Sequence, residues 1–338
     1  MTYSQLPLSL VAAVLAALLS AVLIRTTRPL LSRHAMVRPN ARSSHRIPTP
    51  QGAGIAVIAA TLTVAGAVIL FVDAADAKFP LAVFGATLFI AIVGFADDVK
   101  SIPVLSRLVL QGLAVAAIIF TAPDDLQIIS ACPLWIERTF LLLAGLWFVN
   151  LVNFMDGLDL MTSAEAVPIS AAVVLLGWLG QTPASTMIVA AALCGAILGF
   201  SPFNRPVAKI FLGDVGSLPI GLLLGWCLLQ LAWHQQFAAA LLLPLYYLAD
   251  ATVTLWRRIV RREPFWEAHR SHFYQRAIDN GYSALKVICE VFALNVALAM
   301  LAVASIDLNS ILAGIVLVSS GATAVTLVLY RFSRRPAP

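Results

Sequence analysis

Four polar residues recur at every third position in Asn150-Leu-Val-Asn153-Phe-Met-Asp156-Gly-Leu-Asp159. On a helix that spacing sets two amides and two carboxylates along one edge, an array of oxygen donors suited to a hard cation or to sugar hydroxyl groups. Asp97 and Asp98 are adjacent in Phe95-Ala-Asp-Asp-Val-Lys100; neighbouring carboxylates beside apolar chain repel and call for a cation, either Lys100 or a bound metal. In Lys209-Ile-Phe-Leu-Gly213-Asp214-Val-Gly216-Ser217 a carboxylate is flanked by glycines that let a bulky ligand approach the backbone. Ser217 is placed to cap a helix beginning at Leu218, whose N-terminus would favour a bound anion. The connection Arg257–Tyr282 contains His269-Arg270-Ser271-His272 and Arg276. Histidines three apart face together on a helical turn, and with these arginines they suit phosphate better than zinc, which wants a third soft ligand.

Taken singly, each cluster also has a plain structural reading. His45–Gly54 reads as a turn before a helix, Asp97-Asp98 as a charged helix end, Asp214 as a Gly-Asp turn, and Arg257–Tyr282 as a basic amphipathic helix on headgroups. Asp250 lies within an apolar run, where helical spacing faces it toward Thr254 and Arg257 or Arg258, so an ion pair is as good a reading as a site role.

The elements that must position these groups are membrane helices. Of the 338 residues 60% are hydrophobic and only 12% charged, where a soluble domain carries about 25% charge. Apolar runs predict eleven spans, near 6–24, 51–72, 80–96, 108–121, 137–153, 166–180, 186–203, 218–234, 237–256, 284–304 and 310–330. The fold expected is an all-α polytopic bundle forming a single integral membrane domain over 1–338. The first run is followed by Arg25 and Arg28 and preceded by no cation, the reverse of a secretory signal, so it is expected to be retained.

If every run crosses, 20 of the 22 Lys and Arg fall on one side, leaving only Lys78 and Arg138 opposite. The positive-inside rule makes the rich side cytosolic, with the N-terminus periplasmic and the C-terminus inside. All five polar clusters then share the cytosolic face. The net charge of +5 is accounted for by orientation, which argues against nucleic acid as a partner. Cys132, Cys194, Cys227 and Cys289 lack metal-ligand spacing and read as small hydrophobes.

In order and spelling the clusters resemble the polyprenyl-phosphate N-acetylhexosamine-1-phosphate transferases, glycosyltransferase family 4, which include the peptidoglycan translocase and the initiators of O-antigen synthesis. The resemblance runs from about His45 to Arg276. It implies an enzyme of the bacterial inner membrane that moves a sugar 1-phosphate from a UDP-sugar to undecaprenyl phosphate at the cytosolic face, releasing UMP, with Mg²⁺ or in its place Mn²⁺. By the resemblance Asp97, Asp98, Asp156 and Asp159 are catalytic, Asn153 and Asp214 hold the metal, and Lys100, Asn150, His269, Arg270 and His272 bind substrate. A homodimer is compatible with it.

The spelling His-Arg-Ser-His-Phe-Tyr-Gln is similar to the O-antigen-initiating branch acting on 6-deoxy amino sugars. Phospho-muramoyl-pentapeptide transfer is the alternative, since the peptidoglycan branch has consecutive histidines there. The chain departs from the family at Leu160 and Ala53, where glycine is usual. A secondary transporter is the rival of another class, but transporters place binding residues near the bilayer midplane. The Asp-Gly-x-x-Ala-Arg signature of CDP-alcohol phosphotransferases is absent.

Overall fold

The computed structural model describes residues 5–37, 48–71, 80–264, 269–308 and 310–335. Lys78, Arg38, Arg42 and the His45–Ile47 part of the first cluster lie outside them. The described chain is helical almost throughout: α1 Gln5–His34, α2 Gly54–Phe71, α3 Leu81–Val99, α4 Val104–Phe120, α5 Leu134–Met155, α6 Met161–Trp178 and α7 Ala184–Phe200. It continues with α8 Asp214–Trp233, α9 Phe237–Leu242, α10 Leu245–Val260, α11 Phe273–Asp279, α12 Ala284–Asp307 and α13 Ile311–Phe332. Pro80, Pro103, Pro133, Pro183 and Pro244 each stand immediately before a helix. Proline has no N–H to donate and disfavours helical geometry in the residue before it, so these positions punctuate the apolar runs.

Among the described residues nine helices are long and apolar enough to cross a membrane, where eleven spans were expected. The other two expected spans are α4, apolar but only 17 residues long, and the run 237–256. That run is not one helix. It breaks at Leu243-Pro244 into α9 and α10, because hydropathy is continuous across a proline that the backbone is not. α1 overshoots its apolar run, continuing through Arg25, Arg28 and Arg33 for 30 residues, about 45 Å at 1.5 Å per residue.

The all-α expectation needs one amendment. β1 (Met36–Val37) and β2 (Thr49–Pro50) pair antiparallel, and Phe211 extends the patch by donating to Pro50 O at 2.8 Å and accepting from Gly52 and Ala53. This knot of extended chain ties the segment before α2 to the segment before α8.

α8 is the most enclosed of the long described helices and packs against α3, α5 and α2. Its N-terminus is threaded between two glycines. A Cβ on Gly54 would lie 2.3 Å from Gly216 Cα, and one on Gly94 would lie 2.3 Å from Asp214 O. Only glycine admits backbone that close.

Candidate active site

Three helix ends converge where α8 begins. Asp97 and Asp98 end α3, Asn153 lies in the last turn of α5, and Asp214 opens α8. Asn153 donates from Nδ2 to Asp214 Oδ1 at 2.8 Å and to Ser217 Oγ at 2.9 Å. The two positions expected to hold metal are therefore neighbours.

Asp98 does something the sequence did not disclose. Its carboxylate accepts the backbone N–H groups of Asp214 (3.0 Å) and Val215 (3.0 Å) and the side-chain amide of Gln51. The N-terminus of α8, expected to be capped by Ser217 and open to a substrate anion, is filled by this internal carboxylate, a charge-assisted arrangement that also answers the helix dipole. Ser217 instead accepts from Asn153.

Asp97, in side-chain contact with Asp214, accepts Ile102 N–H at 2.6 Å and Arg107 Nη1 at 2.7 Å. The same Arg107 nitrogen is 3.9 Å from Asp214 Oδ2, so one guanidinium on α4 spans two carboxylates from different helices. Lys100, expected as the cation beside Asp97, is exposed one residue past α3; Arg107 holds that place. The sequence carried a signal for Arg107 only as one more cytosolic cation.

The four-residue stripe is not continuous. α5 ends at Met155, so Asp156 is its C-cap and Asp159 lies in the following turn. Asp156 accepts from Thr162 Oγ1 on α6. Although part of its surface meets solvent, its carboxyl is raised to about 7, first by burial and then by Asp214, Asp98 and Asp159. Asp159 is buried and accepts Ala208 N–H at 3.0 Å, fixing the loop before α8. Asn150 is buried one turn further in, donating to Gln111 Oε1 at 2.7 Å and Leu146 O at 2.8 Å. That joins α5 to α4 away from the carboxylates.

Leu160, one of the two departures, immediately precedes α6 with φ of 58°. This is the left-handed region that glycine enters freely and a branched side chain does not. The family's glycine has a backbone explanation here, and leucine takes on strain to keep the same turn. Its N–H is held by Asn204 Oδ1 at 2.7 Å while Asn204 Nδ2 donates to Ile210 O at 3.0 Å, a brace that sequence reasoning missed. Ala53, the other departure, is fully buried and fits without a positive φ.

The histidine segment docks against this turn. Tyr274 donates to Phe154 O at 3.2 Å, and a Cβ on Gly157 would lie 2.1 Å from the Tyr274 hydroxyl. His269 and His272 do face one another, ring centres 4.9 Å apart, but in the non-helical stretch before α11 rather than on a helical turn. His272 is buried with Nδ1 3.2 Å from Asp250 Oδ1. Asp250 also accepts Phe273 N–H (2.9 Å), Tyr274 N–H (3.2 Å), Tyr246 OH (3.2 Å) and Thr254 Oγ1 (3.3 Å). Thr254 was expected; the arginine partner was not found, since Arg258 pairs with Glu263 at 3.2 Å. Arg270 pairs with Asp279 at 3.0 Å.

The donor set is chemically apt for magnesium. The Asp214 carboxylate and the Asn153 amide lie within hydrogen-bond distance of one another, and both carry oxygen donors of the kind a hard cation takes. Among the described residues no three His, Cys, Asp or Glu side chains form a ready-made metal cage.

Residues 80–232 match the family model Glycosyl transferase family 4. Similar proteins include the phospho-N-acetylmuramoyl-pentapeptide-transferases of Limosilactobacillus fermentum (36% identical, 38% of this chain and 39% of the relative) and Bacillus licheniformis (33%, 38% and 45%). That of Streptococcus pneumoniae serotype 19F is 27% identical over 60% of this chain and 65% of the relative. The matches thus span about two fifths to two thirds of these relatives' length. The name they share is that of the peptidoglycan reading, set second in the sequence analysis, and not of the O-antigen branch. Asp97, Asp98, Asn153, Asp156, Asp159 and Asp214 all fall within the matched stretch 80–232.

Proposed function

We propose that the chain transfers a sugar 1-phosphate from a UDP-sugar to a polyprenyl phosphate at the cytosolic face of a bacterial inner membrane. The observation that carries this reading is the meeting of Asp97, Asp98, Asn153, Asp156 and Asp214 at helix ends, with Arg107 spanning Asp97 and Asp214. Phosphoryl transfer asks a protein mainly for positioning and charge neutralisation, and groups at helix ends, beside apolar lateral surface, suit a water-soluble donor meeting a lipid acceptor.

Asp214 and Asn153 would hold Mg²⁺, with Asp156 nearby. Bound there, the ion supplies charge neutralisation for a diphosphate. Asp97, held by Arg107 and the Ile102 amide, is the carboxylate free of the α8 cap and is assigned to orient or deprotonate the acceptor phosphate. Asp98 positions Asp214. Asp159 acts through the loop it fixes, and Asn150 through the α4–α5 contact. His269 and Arg270 face the donor phosphates, with His272 anchored behind them.

For the donor, the relatives' shared name supports UDP-N-acetylmuramoyl-pentapeptide. The His269-Arg270-Ser271-His272 spelling supports a smaller UDP-N-acetylhexosamine of the 6-deoxy type. Membrane-embedded protein with undecaprenyl phosphate and a panel of these donors separates them by UMP release. UMP release without acceptor, or transport of intact substrate into vesicles, overturns the reading; so does undiminished activity of Asp214→Ala at limiting magnesium.

A further inference from the structure

The end of α10 carries a second charge cluster, which shares only Arg270 with the site proposed for the donor. A cavity of about 290 Å³ is lined by five arginines, Arg257, Arg258, Arg261, Arg270 and Arg276, against one lining carboxylate, Glu263. Glu263 pairs with Arg258 at 3.2 Å, and Asp279 pairs with Arg270 at 3.0 Å. Among the described residues two acids thus pair with two of the five guanidinium groups. Arg257 and Arg276 lie over the Phe273 ring at 5.4 and 5.6 Å, which orders them without cancelling their charge. Arg258 is only 9% exposed, and its Nε has no hydrogen-bond partner. A buried donor without a partner beside uncompensated cations is a site for an anion with several acceptor oxygens.

The volume lies at the floor of the roughly 300–1,000 Å³ range of small-molecule sites. It admits a headgroup rather than a whole nucleotide sugar. None of Asp97, Asp98, Asp156 or Asp214 lines it, so a phosphate bound there is not at the reacting centre. On the same helix Val253, Trp256 and Val260 stand exposed on one face, with Ile259 beside them. An exposed tryptophan near the end of an amphipathic helix suits a membrane–water interface, and this face gives acyl chains a surface beside the arginines. We propose that the arginine pocket at the end of α10 binds the phosphate headgroup of an anionic bilayer phospholipid, whose chains lie along the Val253–Val260 face.

The test uses the full chain, delipidated in neutral detergent and titrated separately with phosphatidylglycerol, phosphatidylcholine and inorganic phosphate, with bound lipid read by native mass spectrometry. Phosphatidylglycerol is expected to bind tighter than phosphatidylcholine. Arg257→Gln/Arg261→Gln should weaken phosphatidylglycerol about 10- to 30-fold, the loss of two cations at an anionic surface, and leave phosphatidylcholine unchanged. Arg257→Lys/Arg261→Lys should retain most of the binding. If the glutamine pair fails to fold, Arg261→Gln alone, at an exposed position, should weaken binding about 5-fold. Equal phosphatidylglycerol binding by wild type and glutamine variants overturns the proposal, as does displacement of the lipid by an equal concentration of inorganic phosphate, which would mark a site for free anions.

Discussion

Asp98 Oδ1 stands 3.0 Å from the backbone nitrogen of Asp214, so one carboxylate of the acidic cluster fixes the main chain that carries another. Asp98→Asn keeps shape but loses the charge-assisted bonds to Asp214 and Val215 and the interaction with the α8 dipole. A loss of about 1–3 kcal/mol is expected, read as a lower unfolding temperature in detergent. Weaker magnesium protection of the fold should accompany it, because the Asp214 backbone is no longer held. An Asp98→Asn protein with unchanged melting would show that the cap carries no energy.

Asp156 sets a pH dependence whose sign follows from its raised carboxyl. The folded protein holds a proton up to about 7, while the unfolded chain releases it near 3.8. Folding therefore favours the protonated form, and this contribution is fully present below about 4 and is lost as pH rises to about 7. Asp156→Asn should flatten the decline across that window. Thermal unfolding of both proteins between pH 4 and 8, without divalent ions, measures it; parallel curves would remove Asp156 from the account.

At Leu160 the usual order of alanine and glycine should invert. In a helix or strand glycine is about 0.5–1 kcal/mol worse than alanine, but a φ of 58° penalises any Cβ by about 1 kcal/mol or more. Leu160→Gly should therefore be at least as stable as Leu160→Ala, both having lost the same leucine packing. Chemical denaturation of the pair decides it, and a clearly more stable alanine variant would refute the strain.

Two glycines that look alike in sequence should behave oppositely. A Cβ at Gly54 meets the backbone of Gly216 at 2.3 Å, whereas one at Gly112 meets nothing within 4 Å. Gly54→Ala should destabilise by several kcal/mol or abolish transfer by moving Asp214, since main chain cannot swing aside. Gly112→Ala, within α4, should be neutral or stabilise by about 0.4–1 kcal/mol. Melting temperatures and UMP release of the two variants give the contrast.

Helices and acidic loops were legible because each rests on local chemistry. Apolar runs stand out against a few prolines, and Asp97-Asp98 and Asp214 stand out against the apolar background. What escaped depends on geometry that the residue string does not carry. α5 ends at Met155 and breaks the three-residue stripe, so Asp159 leaves the helix edge and holds Ala208, while Asn150, deeper in the same helix, bonds Gln111. Arg107 looks like any topogenic cation until α4 folds it over Asp97. Hydropathy reads through Pro244, which hid the α9–α10 break. The family's glycine at position 160 is a statement about φ, and only the backbone shows it.

Asp250 grips His272, Phe273 and Tyr274 at once, and Tyr274 in turn rests on the α5 terminus at Phe154. Residues 272–274 are thus held on one side by α10 and on the other by the end of α5. A slip of α10 by one residue, about 1.5 Å, would pull on His272 and, through Tyr274, on the end of α5. One carboxylate on α10 and one phenol on α11 therefore couple the position of α10 to the turn that follows α5.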